Sequence, residues 1–154
     1  MEPYLLSGAL NGVIAQRLVR TTCPNCATKY YPSENVLSDA GLSNRPGQVF
    51  RKGGGCQQCH NSGFQGRTGI YEVMPITSRI RLMVHKAAPS HEIRHELRRI
   101  GMLTLRQEGV RIAIEGKSSL EEVLRVTHSD DSSSSEGSAP EDAPTGPDDT
   151  RKVA

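Results

Sequence analysis

The residues best placed to do chemistry are four cysteines, Cys23, Cys26, Cys56 and Cys59, in the pattern Cys-x2-Cys-x29-Cys-x2-Cys. Two residues between cysteines let both thiolates of a knuckle face one point about 2.3 Å away, and two knuckles complete a tetrahedron around zinc. The surroundings suit such turns, since Gly53, Gly54, Gly55 and Gly63 tolerate conformations that a side chain resists. In a reducing compartment, cysteines at this spacing serve as metal ligands or redox groups rather than disulfides. A redox pair is expected as one motif near a βαβ unit, whereas here the motif is doubled. A full tetrad closes the coordination shell and leaves no position for an activated water, so the expected zinc is structural and no zinc hydrolysis is expected there. Only two Phe and no Trp are available for a core. A structural zinc, contributing on the order of 10 kcal/mol, would therefore weigh heavily in folding a small lobe.

The other titratable groups offer less. His60 is either a substitute ligand beside Cys59 or an exposed ring. His91 and His95 are four apart and share a helix face, but without a third ligand nearby a solvated face is expected, and His85 and His128 sit in helical and tail contexts. Glu121 and Glu122 suggest paired carboxylates, yet they follow Ser118 and Ser119 by three residues, which is a capping-box pattern. No Gly-x4-Gly-Lys-Ser/Thr loop is present among the 154 residues, and no nucleophile stands in an identifiable motif with a base. No catalytic residue is assigned, and ATP hydrolysis is not expected from this chain alone.

Stepping along the chain, Leu6, Leu10, Val13, Ile14 and Leu18 recur at intervals of three and four and predict an amphipathic helix ending near Arg20. Residues 32–48 read as loop or a small helix, and 48–51 as a short strand entering the glycines. Ile70–Met74 has the branched and aromatic content of a strand limited by Pro75. Helices are predicted over 77–85, over 90–100 and over 104–115, with Gly116 at a left-handed C-terminal position, and a last one begins after Ser118–Ser119. The fold class expected is α+β, mostly helical.

From Ser129 onward the composition is Ser, Asp, Glu, Pro and Gly, which cannot bury enough apolar surface to offset ordering, so 129–154 is expected to be disordered. That tail carries seven acids against Arg151 and Lys152, a net −5, so residues 1–128 carry +7 of the chain's +2. The basic excess is either a solvated surface or a face for nucleotide, nucleic acid, acidic protein or anionic lipid. No segment approaches the ~20 apolar residues of a membrane helix and the N-terminus lacks a signal peptide's basic start, so a soluble, cytoplasmic protein is expected.

Several segments, taken in order, resemble one family. Leu10–Arg20 runs into Cys23-Pro-Asn-Cys26. Gly55-Cys-Gln-Gln-Cys59, Gly63-Phe-Gln-Gly-Arg-Thr-Gly-Ile-Tyr-Glu72 and Ser119–Thr127 then follow. Together they resemble the C-terminal end of type II secretion and type IV pilus assembly ATPases, over residues 1–128. The resemblance implies the end of a RecA-like ATPase domain at 1–20, a tetracysteine zinc-binding subdomain at 21–66, a strand and C-terminal helical subdomain at 67–128, and the tail at 129–154. It implies a chain corresponding to the part that follows the phosphate loop and the acidic magnesium motifs. ATP and Mg2+ would act only in the complete hexameric ATPase, which works at an inner-membrane secretion or pilus platform. The remaining role of this chain would be protein interaction, with the missing ATPase portion or with homologous subunits. By position, Cys23, Cys26, Cys56 and Cys59 match the metal tetrad. Arg67 is carried over as a residue at a subunit border or near a neighbouring nucleotide, with a surface salt bridge as the alternative, and Gln16 and Arg17 as part of the nucleotide-domain wall. The competing reading is a standalone zinc-ribbon module for nucleic acid, motivated by the +7 charge although aromatic stacking platforms are scarce. A chaperone-type zinc module would need more than two cysteine pairs.

Overall fold

The stretch expected to form a helix ending near Arg20 is a strand for most of that length. A computed structural model describes residues 2–45 and 47–127; the tail and His128 lie outside the described residues. Helix α1 covers only Pro3–Ala9, and the chain then extends through Leu10 into β1, Gly12–Thr22. The helical spacing misled because Val13, Ile14 and Leu18 do not face a core: they are 43%, 67% and 54% exposed. Val19, which that spacing passed over, is fully buried. The local content of Val13, Ile14, Val19, Thr21 and Thr22 favours extended backbone, and pairing along the partner strand decides it.

That partner is β4, Phe64–Pro75, antiparallel to β1 in a register that joins Gly12 to Pro75 and Arg20 to Arg67. A second ribbon pairs β2, Ala27–Tyr30, with β3, Phe50–Gly53, also antiparallel. Between β2 and β3 lies the small helix α2, Glu34–Asp39. Thus β1 leads through the first cysteine pair into β2, and β3 leads through the second pair into β4. Both β1 and β4 continue past residues 20–21 and 66–67, although the β1–β4 register shifts between Arg20 and Thr22.

Four helices follow: α3, Ser78–His85; α4, Ser90–Arg99; α5, Leu105–Ile114; and α6, Leu120–Thr127. Thr77 caps α3 by accepting from the Ile80 N–H, and Thr104 and Gln107 form a complete capping box on α5. Ser90 is the first residue of α4, with Pro89 ahead of it. Gly116 takes a φ of 80° after α5, the left-handed C-terminal conformation expected of it.

Helix α5 is central because two of its faces are apolar. Val110 and Ala113 pack with Leu37, Leu42, Phe50, Leu120 and Val123, while Leu105 and Ile112 pack with Val19 and Ile70 of the long ribbon. The glycine at 109, poor for a helix, has a reason. A Cβ there would lie 2.5 Å from Val123 Cγ1, so α5 and α6 approach as closely as a missing side chain permits. Gly109→Ala is expected to lower stability by about 1–3 kcal/mol through overpacking, despite its better helix propensity. A denaturant titration measures it, and an alanine variant as stable as the parent would show that α6 shifts freely.

Candidate metal centre

The cysteines converge because the two ribbons end at one place. Cys23 follows the end of β1 and Cys26 precedes β2, with Pro24 and Asn25 in the turn between them; Cys56 and Cys59 bracket a single 3-10 turn, Gln57–Cys59. His60 and Asn61 then adopt left-handed conformations and Gly63 a φ of 74°, which reverses the chain into β4. Glycine is needed at 53 and 63 for a second reason. A Cβ on Gly53 would sit 2.0 Å from the Gly63 carbonyl oxygen, so the two backbones cross in direct contact beneath the site.

All four Sγ atoms lie within 4.8 Å of one another. The Cys23–Cys56, Cys26–Cys59 and Cys56–Cys59 separations are 3.9, 3.8 and 3.6 Å. A tetrahedron of sulfurs about 2.3 Å from a central zinc has edges of about 3.8 Å, which these distances match, while a disulfide would need about 2.05 Å. All four cysteines are free thiols. Donors point at the sulfurs as they do toward metal-bound thiolates: the backbone N–H groups of Cys56 and Gly63 donate to Cys59 Sγ at 3.2 and 3.3 Å, and Asn25 Nδ2 to Cys56 Sγ at 3.4 Å.

The electrostatics run the same way. The Asn25 amide and the Cys59 backbone N–H hold the Cys56 thiol down at about 6, whereas burial, with the other three sulfurs, pushes Cys26 up to about 11. Four thiolates this close repel one another, and a dication is the charge that lets all of them ionise together. Among the described residues, this is the one cluster of three or more His, Cys, Asp or Glu side chains within ligand distance. His60 is exposed and outside it, and His91 and His95 gain no third ligand.

The other residues singled out from sequence lie on the long ribbon. Cross-strand partners share a face, so Ile14 lies beside Val73, Gln16 beside Tyr71, Leu18 beside Gly69 and Arg20 beside Arg67. Gln16 Nε2 donates to Tyr71 Oη at 3.4 Å, and the Tyr71 ring lies over Gly69. Arg17 is on the opposite face, at the register position of Ile70. Arg67 is exposed and, with Arg20, Ser62, Phe64 and Gly66, lines an open cleft of about 550 Å³ next to the metal ribbon.

What sequence reasoning missed is Glu122. The hydroxyl half of the expected capping box forms, with Ser119 Oγ accepting from the Glu122 N–H at 3.3 Å. The carboxylates go elsewhere: Glu121 accepts from Tyr30 Oη at 2.6 Å, and Glu122, 1% exposed in its side chain, accepts from the Arg20 N–H, Arg20 Nη2 and the Arg125 guanidinium. Capping is thus at most half of the explanation for this acidic pair. No local pattern announces the rest, because Arg20 is 102 residues away.

The structure is thus an α+β domain in which two antiparallel ribbons bring four cysteines together as a possible metal site. The comparisons narrow this: the family model described as "Type II/IV secretion system protein" matches residues 1–125, and the chain belongs to that family. It is 40% identical over 130 residues to type II secretion system protein E of Aeromonas hydrophila, covering 84% of this chain and 26% of that protein. It is 40% identical over 129 residues to the type IV pilus assembly ATPase PilB of Thermus thermophilus, covering 82% of this chain and 14% of that protein. The type II secretion system ATPase E of Vibrio cholerae matches at 33% over 127 residues, 25% of its length. The chain therefore spans about a quarter or less of these relatives. Among the described residues, no helix is long and apolar enough to cross a membrane.

Proposed function

We propose that residues 1–127 are the C-terminal portion of a secretion or pilus-assembly ATPase, held in shape by one structural zinc ion on Cys23, Cys26, Cys56 and Cys59. In the complete protein this portion would serve a cytoplasmic hexamer that uses ATP and Mg2+ to drive an inner-membrane platform. The zinc ribbon supplies rigidity and no chemistry, since four thiolates fill its shell. The reading treats residues 1–20 with the long ribbon as the margin of the RecA-like domain, the cysteine ribbon as a subdomain and the helices as another. Gln16 and Arg17 would stand on that margin, and Arg67 would present a guanidinium to a neighbouring subunit or its nucleotide.

The observation that carries this reading is the outer face of the long ribbon. Ile14, Leu18, Tyr71 and Val73 are 67%, 54%, 47% and 50% exposed and lie side by side there. A row of apolar side chains on a two-stranded ribbon is a surface made for cover, and the rest of an ATPase domain would cover it. The test is to express this chain together with a nucleotide-binding portion of the family. A stoichiometric complex that hydrolyses ATP is expected, with Ile14→Asp plus Leu18→Asp weakening association at least about tenfold, because two aliphatic side chains lose burial worth roughly 1.5–3 kcal/mol each. Hydrolysis by this chain alone, or a complex indifferent to both aspartates, would refute it.

A further inference from the structure

The four sulfurs of the tetrad are not served alike by the protein around them. Cys59 Sγ accepts from the Cys56 and Gly63 N–H groups at 3.2 and 3.3 Å. Cys56 Sγ accepts from Asn25 Nδ2 at 3.4 Å and from the backbone at Cys59 and Gln58, and Cys26 Sγ accepts from the backbone at Gly55. Cys23 is the exception. Its residue is fully buried, and among the described residues no backbone N–H donates to its sulfur. The polar side chain it meets outside the tetrad is Gln65, with Oε1 3.8 Å from Cys23 Sγ. A buried thiolate is cut off from water, so this sulfur depends most on a donor from a side chain.

The ribbon explains why Gln65 is in reach. The Cys23 N–H donates to the Gly63 carbonyl at 3.0 Å, just past the Thr22–Phe64 pair at the end of β1 and β4. Cys23 therefore stands across from Gly63, and Gln65, two residues further along β4, is its diagonal neighbour on the same face. Diagonal positions lie about 7–8 Å apart, a gap that a long side chain crosses. Gln65 is itself exposed, so nothing in the core fixes its amide.

We propose that Gln65 is a positioning residue of the metal centre, its side-chain amide turning Nε2 toward Cys23 Sγ when zinc is bound. The proposal rests on the zinc reading given above. As a thiol, Cys23 donates to Gln65 Oε1; as a zinc ligand it has no proton left to donate, and the amide oxygen would face a thiolate. A half-turn of the amide exchanges Oε1 for Nε2 without moving the rest of the chain, and converts the contact into an N–H donor to sulfur. Each pair of cysteines is then braced by an amide from beyond the other pair's strand junction. Asn25, in the turn between Cys23 and Cys26, serves Cys56, and Gln65, on the strand that follows Cys59, serves Cys23. Donors to metal-bound ligands orient them and tune their donor strength, so Gln65 governs how tightly the tetrad holds its ion.

The test compares the full chain with Gln65→Leu, which keeps the length but has no donor, and Gln65→Glu, which keeps the shape and adds a negative charge beside the thiolates. Gln57→Leu is the control, since Gln57 is exposed on the second knuckle and its side chain makes no hydrogen bond. Zinc affinity is read by competition with a colorimetric chelator. Gln65→Leu is expected to weaken binding by about tenfold or more, Gln65→Glu further still, and Gln57→Leu by less than about twofold. Cobalt gives the second readout. Loss of the donor leaves the Cys23 sulfur electrons less tightly held, so the thiolate-to-cobalt charge-transfer band of Gln65→Leu should move to lower energy than the parent's. Because Gln65 is exposed, the amide spectra of α5 and α6 should be unchanged in both loaded variants. Equal affinities and superposed cobalt spectra in parent and Gln65→Leu overturn the proposal and leave the zinc tetrad standing. The same loss in Gln57→Leu, or parent-like affinity in Gln65→Glu, overturns it as well. A parent that takes up no zinc overturns the tetrad itself, and the proposal with it.

Discussion

Stripping zinc from this chain with a strong chelator is expected to unfold the segment from Cys23 to Gly63. The tetrad closes over two ribbons of which the shorter has only four residues per strand, too little pairing to stand by itself. Phe50, Leu37 and Leu42 pack against α5 and α6, but they lie in the 29-residue excursion between the two cysteine pairs and are ordered by its closure. Binding of zinc by four cysteines is worth on the order of 10 kcal/mol at neutral pH, comparable to the entire stability of a small domain. Elemental analysis should therefore find one zinc per chain. After chelation, amide signals of 23–63 should collapse while those of α3 and α4 persist longest, since neither helix contributes to the two core clusters. Cys59→Ser should weaken zinc binding by at least about a hundredfold, because it removes a ligand that two backbone N–H groups also orient. Acid should release the metal, as thiolates must deprotonate to bind. A lobe still ordered after complete removal of metal would defeat the assignment.

Why some of this was legible in the sequence and some was not follows from the range of the interactions. The clustering of the four cysteines was readable since each knuckle is a local object: two residues between cysteines fix the turn, and glycine marks the crossing at 53 and 63. The end of α5 and the strand β4 were readable for the same reason, through Gly116 and a run of branched residues ended by proline. Residues 10–22 were not. Their apolar spacing suits either a helix or a strand, and the choice rests on ten register partners some fifty residues further on. Glu122 was hidden by similar logic, since Ser119 three residues before it supplies a sufficient local explanation while its strongest partner is on β1.

Removing that carboxylate is the second change with a large expected effect. Glu122 joins the long ribbon to the last helix. It accepts the Arg20 N–H at 3.2 Å and Arg20 Nη2 at 2.7 Å from β1, and two bonds at 2.9 Å from Arg125. Arg20 in turn lies over the Phe64 ring at 4.1 Å, and its carbonyl accepts from Ser118 Oγ at 2.8 Å. Burial pushes the Glu122 carboxyl up, but the hydrogen bonds from Arg20 and Arg125 outweigh it and hold the group down at about 2. Glu122→Ala should cost about 3–5 kcal/mol, the usual penalty for orphaning one side of a buried pair, and lower Tm by roughly 10–20 °C. Arg125→Ala should cost about 1 kcal/mol or less, because that guanidinium is 60% exposed. The pH sign follows from the depressed value. The ionic contribution is fully present above the unfolded carboxyl range near 4.3 and is lost as pH falls toward 2. The partly exposed arginines are screened, so its size is on the order of 1–2 kcal/mol. Since the zinc thiolates also protonate in that range, the measurement is the difference between the parent and Glu122→Gln. That difference should shrink from pH 5 to pH 2, and one that stays constant would mean that shape, not charge, holds α6 on the ribbon.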